Sequence, residues 1–327
     1  RLNKGQQTIL FLNRRGYAGF VSCRSCGEVM KCPHCDVSLS EHKGGRLICH
    51  YCGYTQPMPK LCPKCGSKYI LGFKAGTQQI EEKLKELYPG VRTLRMDADT
   101  TRTKDSYEKI LSSFANGEAD VLIGTQMIVK GHDFPKVTLV GILAADLSLN
   151  ASDYRAGERT FQLLTQAVGR AGRGVLPGEA VIQTYQPDHY AITCAAAQDY
   201  ESFYQEEILY RELSGYPPVA HMLAVQIYGK EEENVKQLAL RLTDVVKSNM
   251  DFLSGKQKEQ SNKKIQVLGP APANISKIND IYRYVFYVKH AEYDVLVEVK
   301  DRLEETLRQW QPRQMSIQFD FDPVSVL

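Results

Sequence analysis

The sequence predicts an α/β domain with a parallel sheet, interrupted by a cysteine-rich metal module and followed by a smaller α+β domain. Three observations predict this. Short apolar runs alternate with amphipathic helical stretches over residues 77–184, the pattern of a parallel sheet. Four Cys-x-x-Cys pairs crowd between the first such run and the rest: Cys23/Cys26, Cys32/Cys35, Cys49/Cys52 and Cys62/Cys65. Beyond residue 220 the order of elements reads β-α-β-β-α-β.

The bulk numbers fit about two domains plus a small module. The 327 residues are 43% hydrophobic and 24% charged, so a core of ordinary size can form. A net charge of +3 is too mild to demand a nucleic-acid partner. Eight of the nine cysteines lie in the four pairs, which points to a reducing compartment rather than a secreted disulfide framework. The ninth, Cys194, reads as a small core residue. There is no 18-residue apolar run for a membrane span and no visible signal peptide. The chain starts at Arg1 and enters a strand by Thr8, so it reads as a piece of a longer protein.

Residues 7–13 form the first strand and lead into the polar run Asn13-Arg14-Arg15-Gly16. The cysteine module follows over 23–66. Eight thiols in four pincers supply two tetrahedral Zn2+ sites, with structural rather than catalytic metal, because four thiolates leave no place for water. Three pairings of the pincers are possible. The five-residue gap 27–31 is tight for the first two to share a metal, whereas the thirteen-residue gap 36–48 approaches ribbon spacing. The expectation is therefore nested, with Cys32, Cys35, Cys49 and Cys52 at an inner site and Cys23, Cys26, Cys62 and Cys65 at an outer one. Nesting brings the ends of the module together so that the host domain, 1–22 and 67–190, can close. The module is locally basic, and Tyr51 and Tyr54 with Lys60 and Lys64 are either a contact surface or a solvated face.

A helix over 77–88 carries Ile80, Leu84 and Leu87 on one stripe and stops at Pro89-Gly90. Strands follow near 91–96, 120–124, 137–143 and 179–184, and ligands belong at their C-terminal ends. The strand at 120–124 runs into Gly-Thr-Gln-Met-Ile-Val-Lys-Gly-His-Asp-Phe (124–134). A later helix is expected to carry Gln166-Ala-Val-Gly-Arg170-Ala-Gly-Arg173, with both arginines on one face and glycines that let another surface approach. Such a pair suits an anion held between two domains. A plain surface pair binding carboxylates is the other reading, and the residues alone leave both open.

Residues 188–213 read as a connecting helix within a linker 191–220, and Tyr216-Pro217-Pro218 marks a boundary. The domain 221–327 then shows strand 221–228, helix 231–249, strand 265–268, strand 281–289, helix 291–310 and a final alternating strand. This βαββαβ order is ferredoxin-like. It leaves one sheet face for Arg283, Tyr287 and Lys289, either to bind single-stranded nucleic acid or to pack against the rest of the protein. Lys277, in the loop after Pro270, is a candidate phosphate contact.

The motifs together carry a resemblance. Gln-x-x-Gly-Arg-x-x-Arg is similar to motif VI of superfamily 2 helicases, Gly-Thr-Gln-Met-x-x-Lys-Gly-x-Asp-Phe to their motif V, and Phe11–Tyr17 to a motif IV. With eight cysteines behind motif IV, and with the runs 145–159 and 216–218, the chain resembles the PriA family of bacterial primosomal replication-restart helicases. That resemblance implies a RecA-like second helicase lobe. Arg170 and Arg173 would face the γ-phosphate of ATP, with Gln166, Gly131 and Asp133 lining the cleft. Thr125 would touch the DNA backbone, with Arg14 and Arg15 as weaker DNA contacts. It also implies ATP and Mg2+ in the full-length protein. The implied partners are single-stranded and branched DNA, single-stranded-DNA-binding protein, and primosome and helicase-loading proteins. The implied location is the bacterial cytoplasm at the nucleoid. No Gly-x-x-x-x-Gly-Lys-[Ser/Thr] loop and no Asp-Glu dipeptide occur, so this chain by itself is expected not to hydrolyse ATP. Competing readings are a zinc-ribbon docking module without motor function and, more remotely, a thiol redox switch.

Overall fold

The structure is a computed structural model and describes residues 1–13, 21–42, 45–72, 76–97, 100–101, 104–129, 133–149, 153–248 and 264–324. In chain order its strands are β1 (Gln7–Leu12), β2 (Val21–Cys23), β3 (Ser40–His42), β4 (Arg46–Ile48), β5 (Thr55–Pro57), β6 (Ile70–Gly72), β7 (Thr93–Met96), β8 (Val121–Gly124), β9 (Val137–Leu143), β10 (Glu179–Ile182), β11 (His221–Gly229), β12 (Gln266–Ile278), β13 (Ile281–His290) and β14 (Met315–Phe321). Its helices are α1 (Thr77–Leu87), α2 (Lys104–Ala115), α3 (Ala156–Val168), α4 (Tyr190–Ala197), α5 (Tyr200–Ser214), α6 (Glu232–Ser248) and α7 (Tyr293–Trp310). They fall into two compact units, residues 1–19 with 73–207 and residues 20–72 with 208–327.

In the first unit β10-β9-β1-β8-β7 form one parallel sheet. Its central strands are apolar on both faces, as strands covered on two sides must be. Ile9, Phe11, Leu122, Ile123, Val140 and Ile142 are fully buried. Phe114 of α2 and Leu164 of α3 close on this sheet, and Phe161 of α3 stacks on Phe203 of α5 with centroids 4.0 Å apart. Each such side chain contributes about 1.5–3 kcal/mol by leaving water. Cys194 packs at the edge of the same core.

In the second unit β2 and β6 pair antiparallel and form the neck of the cysteine module, while β3-β4-β5 make a small sheet at its far end. The remaining sheet has the order β12-β13-β11-β14, antiparallel throughout. Val235, Leu238, Leu242 and Val246 of α6 recur at helical spacing. With Leu296, Val299 and Leu303 of α7 they cover Leu223, Val225, Ile227, Phe286 and Val288.

Three expectations are corrected. The connecting stretch 188–213 is two helices, because Gln198 turns left-handed (φ 55°) and Asp199 then caps α5 through the Ser202 N–H and hydroxyl. The strand expected at 265–268 continues to Ile278 through two register shifts, the first of which absorbs Gly269-Pro270. Finally, α3 stops at Val168, so Arg170 and Arg173 lie in the turns beyond it. Gly172 sits at φ 73°, which ends any helix there.

Candidate metal centres and nucleotide-facing edge

Each cysteine quartet is built from pairs whose backbone folds around one ligand. The structure brings Cys23, Cys26, Cys62 and Cys65 together, and separately Cys32, Cys35, Cys49 and Cys52, with the sulfurs of each set within 4.8 Å of one another. These are the two quartets of the nested arrangement. Sulfur separations of 3.6 Å for Cys23–Cys65, 3.7 Å for Cys26–Cys62 and 3.6 Å for Cys32–Cys52 are far too long for a disulfide. A tetrahedral ZnS4 centre with Zn–S of about 2.3 Å has edges of about 3.8 Å, so both quartets fit Zn2+ without rearrangement.

Backbone N–H groups face the sulfurs. Burial works to raise the Cys23 thiol, but the N–H groups of Cys26 and Ser25 and the neighbouring thiols bring it down to about 6. Cys35 goes the other way, pushed up to about 12 by burial and by Cys52 and Cys49, against one N–H from Asn279. Crowded thiols behave so, one ionising at its neighbours' expense. His34 is not a ligand; its Nδ1 lies 2.7 Å from the Asp280 carboxylate.

At the C-terminal edge of the parallel sheet, Thr125 follows β8 directly and its carbonyl accepts the Ile128 N–H. Arg173 is held by its own chain, Nε donating to the Gly169 carbonyl at 2.8 Å. One guanidinium nitrogen of Arg173 lies 4.0 Å from the Asp133 carboxylate. Arg170 sits half-buried beside them. Burial lowers its pKa, the Arg173 charge lowers it further, and Asp133 opposes both. Gln166 lies on the last turn of α3, exposed. Asp133, Arg170 and Arg173 thus converge from two separate stretches of the chain. Gly131, Arg14 and Arg15 lie outside the described residues.

Two glycines of this turn meet the protein's own backbone. A Cβ on Gly172 would stand 2.5 Å from the Gly178 nitrogen, and one on Gly174 would stand 2.2 Å from the Pro135 carbonyl oxygen. The close approach is the protein's own, and it locks the arginine turn onto the segment before β9.

Sequence reasoning missed the polar network beside this edge. Buried Asn13 donates to the Ala145 carbonyl at 2.8 Å and the Ser148 hydroxyl at 2.7 Å. Asp146 accepts from the Thr184 hydroxyl and from the Tyr185 and Gln186 N–H groups. Burial raises its pKa, and those donors outweigh burial to hold it below the ordinary carboxylate value. A polar residue immediately after an apolar strand was the available signal.

Of the two readings left open for the Arg283, Tyr287 and Lys289 face, Lys289 takes the packing one and is withdrawn as a DNA contact. Lys289 is only 5% exposed; its ammonium donates to the Ser214 carbonyl at 2.7 Å and sits 3.8 Å over the Tyr216 ring. Residues 211–217, themselves fixed by Arg211 donating to the Pro217 carbonyl, cover this end of the sheet. Arg283 lies 5.8 Å over the Tyr228 ring, and Tyr287 is half-buried. Lys277 donates to the Pro33 carbonyl at 3.0 Å.

The parallel-sheet lobe carries a two-arginine turn at its C-terminal edge and an inserted module of two cysteine quartets, and the comparisons make it the C-terminal lobe of a helicase. The family model for the helicase conserved C-terminal domain matches residues 61–175. Those for the PriA DNA helicase Cys-rich region and the primosomal protein N C-terminal domain match 32–57 and 212–324. The replication restart protein PriA of Bacillus subtilis is 44% identical over 326 residues, covering 99% of this chain and 39% of that protein. Its counterpart in Synechocystis is 41% identical over 328 residues, covering 99% and 38%. That of Haemophilus influenzae is 35% identical over 315 residues, covering 96% and 41%. The chain belongs to the PriA family, and it spans about two fifths of the length of these relatives. The solved C-terminal domain of the DEAD-box protein Dbp5 is 14% identical with a TM-score of 0.32, covering 63% of this chain and 82% of that domain, too slight a likeness to add to the fold already described. No described helix is long and apolar enough to cross a membrane.

Proposed function

We propose that this chain supplies the second lobe of an ATP-dependent DNA helicase that acts at stalled or branched replication forks and helps reload the replisome. The observation that carries this reading is the convergence of Arg170, Arg173 and Asp133 at the edge where a parallel sheet binds ligands. In the full-length protein ATP and Mg2+ would be held mainly by a first lobe. Arg173, pre-oriented by the Gly169 carbonyl, and Arg170 would then meet charge developing on the γ-phosphate. Gln166, Gly131 and Asp133 would line the same cleft. Thr125, Arg14 and Arg15 are proposed contacts to the DNA backbone, and Arg283 and Tyr287, without Lys289, to single-stranded DNA. Both quartets would carry structural Zn2+. The β12-β13-β11-β14 sheet under two helices is read as ferredoxin-like and as a platform for branched DNA, with single-stranded-DNA-binding protein and helicase-loading proteins as partners in the cytoplasm.

The test is Arg173→Ala in the full-length protein. DNA-stimulated ATP hydrolysis should fall by about 10³–10⁵ while forked-DNA binding persists. Turnover within about twofold of wild type would refute the motor reading and leave the docking-module reading in its place.

A further inference from the structure

The C-terminal domain reaches back and touches the inner cysteine quartet. The tip of the β12–β13 hairpin is Asn279-Asp280, with φ of 51° and 59° between Ile278 and Ile281, which pair. Two successive left-handed residues make a type I′ turn, and asparagine and aspartate tolerate that conformation. The turn lies across residues 33–36, the loop of the Cys32/Cys35 pincer. Main-chain bonds hold it there: Asp280 N–H to the His34 carbonyl, and Asp36 N–H to the Lys277 carbonyl, both at 2.8 Å. Side chains add the Ser276 hydroxyl on the Asp36 carboxylate at 2.9 Å, Lys277 on the Pro33 carbonyl at 3.0 Å, and Asp280 on His34 at 2.7 Å. Ile278 packs into the module's own core.

One contact reaches the metal ligands themselves. The Asn279 N–H points at Cys35 Sγ at 3.2 Å, across 244 residues of sequence. Four thiolates around one Zn2+ carry a formal charge of −2, and N–H groups aimed at sulfur offset that excess. In the outer quartet the donors to Cys23 and Cys26 are local: the N–H groups of Ser25, Cys26 and Glu28. In the inner quartet Cys32 is served by His34 and Cys35, and Cys49 by Tyr51 and Cys52. For Cys35 the backbone donor is Asn279. The outer site draws these donors from its own loops, whereas the inner site borrows one from a domain that begins more than 150 residues later in the chain.

We propose that the β12–β13 hairpin is part of the inner metal site, with Asn279 as a positioning residue whose N–H completes the donors around Cys35. The inner Zn2+ is then held jointly by the module and the C-terminal domain, and its loss frees the hairpin. Coupling of this kind is reciprocal. Hairpin docking slows metal release, and metal occupancy protects the hairpin. The inference rests on the zinc reading of the inner quartet and is independent of the motor reading.

The test uses the whole chain, reduced and zinc-loaded, with metal content measured first. Release to a chromogenic chelator should proceed in two phases, one per site. Ser276→Ala/Lys277→Ala/Asp280→Gly weakens docking while an Asn-Gly pair keeps the I′ turn. Asn279→Pro removes the N–H and, because proline cannot adopt the left-handed φ of 51°, also breaks the I′ turn, so it reports loss of the whole hairpin tip. Each variant should weaken one site by about 10–100-fold in affinity, the usual effect of losing an outer-shell partner, seen as acceleration of one phase with the other unchanged. In the Co2+-loaded chain the sulfur-to-metal charge-transfer band of one site should shift. In the wild type, stripping the metal should abolish amide-exchange protection at 279 and 280. Release unchanged in both variants, both phases accelerated alike, or protection that survives metal removal would each overturn the coupling. A metal count below two per chain sinks the zinc reading, and the coupling with it.

Discussion

Lys289→Met separates a structural lysine from a nucleic-acid contact. Lys289 is 5% exposed, donates to the Ser214 carbonyl at 2.7 Å and caps the Tyr216 ring at 3.8 Å. Methionine keeps most of the stem volume and removes the charge, so the loss is electrostatic. A hydrogen bond from a charged group is worth about 1.5–3 kcal/mol, and a desolvated cation–π contact about 1–2 kcal/mol. Against these stands the cost of burying the ammonium, which the variant recovers; burial lowers the pKa of Lys289 for that reason. The net expectation is a destabilisation of about 1–3 kcal/mol. For a unit of this size it lowers Tm by roughly 2–12 °C. Differential scanning calorimetry reads the shift. Forked-DNA binding measured against salt should keep the wild-type slope, since a lost phosphate contact would reduce that slope by about 0.7–0.9. An unchanged Tm with a shallower slope would refute the reasoning and return Lys289 to the DNA-binding face.

Two further predictions concern the first unit. Asp146 has a folded-state pKa below the ordinary carboxylate value, so below that value the unfolded chain takes up the proton first and stability falls as pH drops through the folded pKa. Asp146→Asn should be less stable near neutrality and should flatten that acid limb in urea melts at about pH 3–5; an identical limb would exclude Asp146 as its source. Gly172→Ala places a Cβ 2.5 Å from the Gly178 nitrogen at φ 73°. It should cost more than about 2 kcal/mol, since the left-handed backbone alone costs roughly 1–2 kcal/mol; a urea midpoint equal to wild type would show that the turn is not locked there.

What was legible in the sequence follows from the range of the physics involved. The parallel strands show because Ile-Leu-Phe-Leu and Val-Leu-Ile runs buried on both faces have no polar alternation to blur them. The quartets show because metal geometry constrains gap lengths along the chain. The end of α3 was misjudged because Arg170 and Arg173 have helical spacing and arginine favours helices, while the deciding contact, Gly172 against Gly178, is a steric fact of tertiary structure. Lys289 stayed between two readings because alternation assigns a face and does not say what covers it. The hairpin on the Cys32/Cys35 pincer left only the turn pair Asn279-Asp280 as a local sign, and nothing in that pair names its partner.

Arg92 and Arg173 sit in contrasting surroundings within this one protein. Arg92 is an ordinary surface ion pair. It grips Asp120 through two nitrogens, at 2.5 and 3.2 Å, and the pair raises the arginine and lowers the aspartate. Each charge there is offset by the other. Arg173 is different. Among the described residues its closest polar contact is the uncharged Gly169 carbonyl, which fixes direction without neutralising charge, and the Asp133 carboxylate stands off at 4.0 Å. A second guanidinium, Arg170, is held half-buried alongside, at an electrostatic cost that burial and the Arg173 charge both register. Asp133 offsets part of that cost, and the turn that carries both guanidinium groups is locked by glycine contacts that tolerate no Cβ. A phosphate-facing role for this turn remains the proposal that Arg173→Ala tests.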